Sequence, residues 1–164
     1  MRKLISLYLT INYYLSYRMQ AHDAAIHDPG FLTAQLQFLE ANLRKFPYWI
    51  YGINQAVSVS LLLNEIDKAY GGIKALQAIS PSRNAKLLEA RILLKKNLFE
   101  RSKKIFSEFS VHSLSLESRE DLIAVLLGVD DFSGAKRVLD TIPKEKRSAM
   151  QEVMNRYLDQ KLVG

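Results

Sequence analysis

An all-α fold built of antiparallel helix pairs is predicted by three observations on this 164-residue chain. The first is an internal repeat. Asn64-Glu-Ile-Asp-Lys-Ala69, Asn97-Leu-Phe-Glu-Arg-Ser102 and Asp130-Asp-Phe-Ser-Gly-Ala135 carry the same residue types 33 positions apart. Downstream, Ile73, Phe106 and Leu139 keep that interval, as do Leu76, Phe109 and Ile142. Repeats of this length mark supersecondary units that bury their apolar faces against neighbours. The second is composition: 48% hydrophobic and 24% charged residues with only 7 Gly and 4 Pro describe a folded, helix-rich domain. The third is periodicity, since apolar residues recur at helical spacing and no segment alternates as a strand would.

Each repeat column has a physical reason. Asn64, Asn97 and Asp130 can end the preceding helix in a left-handed or Asx-turn conformation. Ile66, Phe99 and Phe132 are apolar plugs. Ala69, Ser102 and Ala135 stay small, which lets two helix backbones approach closely, and the last two columns supply an apolar stripe.

In chain order, Leu4 to Tyr17 comes first, uncharged and apolar nearly all round, with Arg2 and Lys3 before it and Arg18 after it. As a helix, its length of roughly 21 Å at about 1.5 Å per residue falls short of a bilayer core of roughly 30 Å. A buried packing helix is the favoured reading; a membrane anchor or interfacial helix and a signal sequence stay open, and self-association could also close its apolar surface. Ala21 to Asp28 completes this helix, and Asp28-Pro29-Gly30 breaks it, with Asp28 suited to cap the next helix and Pro29 to its first turn. Phe31 to Phe46 follows a helical period, and residues 1–47 form a degenerate first helix pair.

Repeats then occupy 48–81, 82–114 and 115–143, and 144–164 is a capping helix. The third helix, Tyr48 to Leu63, contains Gly52 and many β-branched residues, so packing must hold it. Glu65 to Ile79 ends at Ser80-Pro81-Ser82, where Ser80 or Ser82 can cap the helix Arg83 to Lys96. Leu98 to Ser110 pairs with that helix. Ser118 with Asp121 reads as a capping-box-like start to the seventh helix, which runs to about Gly128. The eighth spans Asp131 to Thr141, and the ninth, Pro143 to about Lys161, places Val153, Tyr157 and Leu158 on one side.

The columns resemble the tetratricopeptide repeat, a helix-turn-helix unit of about 34 residues. Asp130-Asp131-Phe132-Ser133-Gly134-Ala135 with Leu139 and Ile142-Pro143 carries the likeness most fully; Asn97, Phe99, Ser102 and Phe106 follow, then Asn64, Ile66, Ala69 and Ile73. The small residue that the family uses in the first helix of each pair falls on Val57, Ala90 and Ile123, so only the second unit conforms there. The resemblance implies a right-handed superhelical α-solenoid whose concave groove holds a partner peptide or helix. It also implies where such a groove would lie: Tyr51, Asn54, Gln55 and Ser58, then Asn84, Arg91 and Lys95, then Glu117 and Glu120. The basic clamp that some members use for a terminal carboxylate is absent, because its positions read Asn54 and Ser58, Leu87 and Arg91, and Glu120 and Ala124.

The net charge of +6 is uneven: residues 82–110 hold eight Lys or Arg against three Glu, while 111–164 hold eight against nine acids. Most of this basic cluster reads as a solvated helix face, with Arg91 and Lys95 the groove-facing exception, which favours an acidic protein partner. Nucleic acid is disfavoured, because Phe99, Phe106 and Phe109 occupy repeat columns and so are unavailable for base stacking. With no cysteine there is neither disulfide nor thiolate chemistry. His22, Asp23 and His27 supply at most two ligands on one helical face, so no metal or other cofactor is expected. Phosphate loops and hydrolase elbows are also missing, and an enzyme is not expected.

Overall fold

The computed structural model describes residues 1–18 and 28–163. Among these residues it is all-α, and the chain divides into two compact units, Met1–Ala85 and Lys86–Gly164. Ala21 to His27, including the Asp23 and His27 pair, lie outside the described residues.

In the first unit α1 (Arg2–Tyr13) runs into a π-helical turn, Tyr14–Arg18. Only one face is buried, through Leu9 and Tyr13, so the expected packing helix is buried along one side alone. Asp28 caps α2 (Pro29–Lys45) as expected, its Oδ2 accepting from the Phe31 N–H at 2.7 Å. Helices α3 (Ile50–Leu62) and α4 (Ile66–Ile79) pack as an antiparallel pair, and α3 also contacts α1 and α2. Trp49 and Tyr13 are fully buried, with ring centroids 6.3 Å apart at 76°, and the Trp49 indole N–H donates to Thr10 Oγ1 at 3.0 Å. Gly52 is what admits the indole, since a Cβ there would lie 2.1 Å from a Trp49 ring carbon.

Helix α5 (Arg83–Lys95) crosses the division between the units, and Ser82 caps it, Oγ accepting from Ala85 N–H at 3.2 Å. The second unit continues with α6 (Phe99–Phe106), α7 (Leu116–Gly128), α8 (Phe132–Asp140) and α9 (Ala149–Val163). From α6 onward each helix packs on the next. Its core joins Ala90, Phe106, Leu122, Leu126, Ala135, Leu139 and Leu158. Three boundaries differ from expectation by three residues or more, the first being the end of α6, which stops at Phe106, four residues short of Ser110. Helix α7 begins three residues early, capped by Ser115, whose Oγ accepts from Ser118 N–H at 3.2 Å, and Asp121 is instead drawn to Arg91. A 3₁₀ turn, Lys144–Lys146, delays α9; on that helix Leu158 is buried, whereas Val153 faces solvent because Gln151, Met154 and Leu158 form the inner face.

The repeated turn is the same object three times. Asn64, Asn97 and Asp130 have φ of 58°, 56° and 56°, and among the described residues no glycine has a positive φ. After α3, Glu65 N–H bonds Ser60 O at 2.8 Å and Asn64 N–H bonds Leu61 O at 3.2 Å. Leu98 to Leu93 and Asn97 to Leu94 repeat this at 2.9 Å each, and Asp131 to Leu126 and Asp130 to Leu127 at 2.9 and 3.2 Å. These paired bonds are the Schellman ending of a helix. The small column then sits at closest approach: Ala69, Ser102 and Ala135 are 0% exposed, and Ser102 Oγ donates to Ala90 O at 2.7 Å. Where the first helix carries the larger Val57, the space comes from the facing helix, because a Cβ on Gly72 would meet Val57 Cγ2 at 2.7 Å.

Candidate functional site

The sequence points to nine groove residues, and the structure gives them different fates. In the first unit Tyr51 belongs to the aromatic cluster, 5.8 Å from the Tyr13 ring and 6.4 Å from Trp49. Gln55 is engaged as well, its Oε1 accepting from the Tyr13 hydroxyl at 3.2 Å. Asn54 Nδ2 donates to Ile50 O at 3.1 Å and the exposed Ser58 Oγ to Asn54 O at 3.0 Å. Both bonds run one turn back along α3, the ordinary resting place of short polar side chains on a helix.

Asn84 is exposed at the start of α5. Arg91, in the second unit, already has its carboxylates: Nε lies 2.7 Å from Asp121 Oδ2 and Nη1 2.8 Å from Glu117 Oε1. Burial works against the guanidinium charge, but hydrogen bonds and fields from Asp121 and Glu117 outweigh it and hold the Arg91 pKa above its ordinary value. Asp121 is pushed upward, first by burial and further by the negative charge of Glu117, against the opposing pull of Arg91. The pair therefore spends its charge internally. Lys95 is exposed and adds its positive field to Asp121. Glu120 Oε1 accepts from Gln151 Nε2 at 2.6 Å, tying α7 to α9.

A second arrangement escaped sequence reading. Within this unit α6, α7 and α8 enclose an open trough of about 480 Å³. Phe106, Leu122, Leu126 and Val138 line it as buried apolar groups, and the partly buried Phe109 and Val111 extend it. Its rim carries Lys103, His112, Asp131 and Arg137. Lys103 Nζ is 3.1 Å from Asp131 Oδ2. Asp131 also accepts from Gly134 N–H at 2.8 Å, and that backbone bond, followed by Lys103, draws its carboxyl below the ordinary value. Arg137 and His112 remain exposed at the rim. The adjacent Lys136, by contrast, is held by Asp159 at 2.9 Å and Asp140 at 3.5 Å. From sequence Lys136 and Arg137 look equivalent; only their directions on α8 separate the bound cation from the exposed one. Such a trough can take an apolar side chain flanked by a carboxylate.

Among the described residues no group of three or more His, Asp or Glu side chains is placed to hold a metal ion. Comparison with known proteins returns no significant match, whether to a family model, a curated protein or a solved structure.

Proposed function

We propose that the protein is a non-catalytic binding module of the tetratricopeptide type, a superhelical stack of helix pairs that serves as an adaptor or co-chaperone. The observation that carries this reading is the turn at Asn64, Asn97 and Asp130, three Schellman endings each followed by a fully buried small residue five positions on. Repeated pairs of this kind present preformed surfaces, and recognition by a preformed surface needs no bond making. Within the second unit the seat is the α6–α8 trough rather than the Arg91 side chain, whose charge Asp121 and Glu117 already satisfy. The partner is a protein segment offering an apolar anchor for Phe106, Leu126 and Val138 and an acidic residue for Arg137.

Affinity capture from nuclease-treated lysate of the protein's own source tests this. Ser107→Trp with Arg137→Glu obstructs the trough and reverses its rim charge without touching a buried residue. Specific proteins held by the wild type should be lost with that double variant and kept with Lys95→Glu. Loss with Lys95→Glu alone would move the seat to α5, and identical captures from all three proteins would refute a groove-type adaptor.

A further inference from the structure

The outer face of α1 and its π-helical turn presents Leu4, Leu7, Tyr8, Ile11, Tyr14 and Leu15, each at least half exposed. At about 100° per residue these six fall within an arc of about 120°, opposite the buried Leu9 and Tyr13. Residues 1–18 carry Arg2, Lys3 and Arg18 and no Asp or Glu. The cationic end continues into the neighbouring structure: the Arg2 guanidinium lies 4.8 Å over the Tyr48 ring, and Arg44 and Lys45 occupy the last turn of α2. Between them, Arg2 and Lys45 flank a cavity of about 220 Å³ walled by Ile5, Phe46 and Trp49.

Charge decides which occupant suits this face. A second copy would bring the same cations and no carboxylate from residues 1–18, so a helix-to-helix seam would set like charges together. Among the described residues no helix is long and apolar enough to cross a membrane. An apolar stripe with tyrosines on it and cations at its ends matches a helix lying in the plane of a lipid surface, apolar side inward and basic residues at the headgroups. We propose that α1 docks the protein peripherally on an anionic bilayer surface. Leu4, Leu7, Tyr8 and Ile11 enter the acyl boundary, and Arg2 and Lys3 meet lipid phosphates and carboxylates.

The test is co-sedimentation of the full chain with phosphatidylcholine vesicles and with vesicles containing roughly one third phosphatidylserine. Wild type is expected to bind the anionic vesicles at least about ten-fold better and to lose most of that preference in high salt. Leu4→Glu with Ile11→Glu should abolish binding, and Arg2→Gln with Lys3→Gln should weaken it several-fold. Both pairs are exposed, so unchanged helicity and unchanged Trp49 emission certify folding. Absence of binding to either vesicle, equal binding to both, or indifference to the Glu variants would each overturn the proposal. So would a concentration-dependent dimer in sedimentation velocity that Leu4→Glu with Ile11→Glu dissolves, since a second copy would then be the occupant.

Discussion

Gly52 and Gly71 both sit inside helices of the first unit, and the structure assigns their replacement by alanine opposite signs. In a helix interior Gly→Ala gains about 0.5 to 1 kcal/mol from reduced backbone entropy loss. At Gly71 a Cβ meets nothing within 4 Å, so the gain stands alone. At Gly52 the added carbon would lie 2.1, 2.4 and 2.6 Å from three carbons of the Trp49 ring, far inside contact distance. A flat ring cannot yield at one atom, and this one is held by Thr10, packed against Tyr13 and Tyr51, and only 1% exposed. Overpacking of this kind costs about 1 to 3 kcal/mol, and the severity of the clash places Gly52 toward the upper end. Subtracting the helical gain leaves Gly52→Ala destabilised by about 2 kcal/mol and Gly71→Ala stabilised by about 0.5 to 1 kcal/mol. Trp49 is the only tryptophan, so urea titrations followed by its fluorescence report on this unit. Stabilisation of Gly52→Ala equal to that of Gly71→Ala would refute the packing argument.

Two further outcomes follow from the second unit. Asn97→Val forces a β-branched residue to φ near 56° and should cost about 1 to 2 kcal/mol in urea melts read by far-UV circular dichroism, whereas Asn97→Gly should cost nothing. Equal losses from both would show that the side chain, not the left-handed backbone, matters there. Asp131 caps α8 and its carboxyl lies below the ordinary 3.8, so its contribution is present above that value and is lost as pH falls through the lower folded value. Asp131→Ala should therefore lower stability by about 1 kcal/mol at pH 7, and the gap to wild type should narrow only in acid below about pH 4. A gap that is flat from neutral pH to acid would mean that the charge contributes nothing.

Much of the secondary structure was legible because it is written in neighbouring residues. The turns at Asn64, Asn97 and Asp130 are left-handed because Asn and Asp tolerate that conformation, and the residue five positions on is small because a neighbouring backbone passes there. Asp28 and Ser82 cap helices from within three residues of the N–H groups that they accept from. Local chemistry misled where several candidates lay close together, as at Ser115 and Ser118, which both offer a hydroxyl at the start of α7.

The candidate site was harder to read. Arg91 presented itself as a groove cation, but Asp121 meets it from 30 positions away; Tyr51 and Gln55 were drawn into the cluster around Tyr13, and Gln55 lies 42 positions from that hydroxyl. Residue order by itself determined an all-α chain, its repeat interval and its helix ends, because caps, turns and apolar period act within one or two turns of helix. Tertiary structure alone decided which cations keep their charge for a partner, which face of α1 is left open, and where the trough between α6 and α8 forms. Those properties depend on which side chains different helices bring within a few ångströms, where burial and opposite charge act, and positions in a linear chain do not specify that meeting.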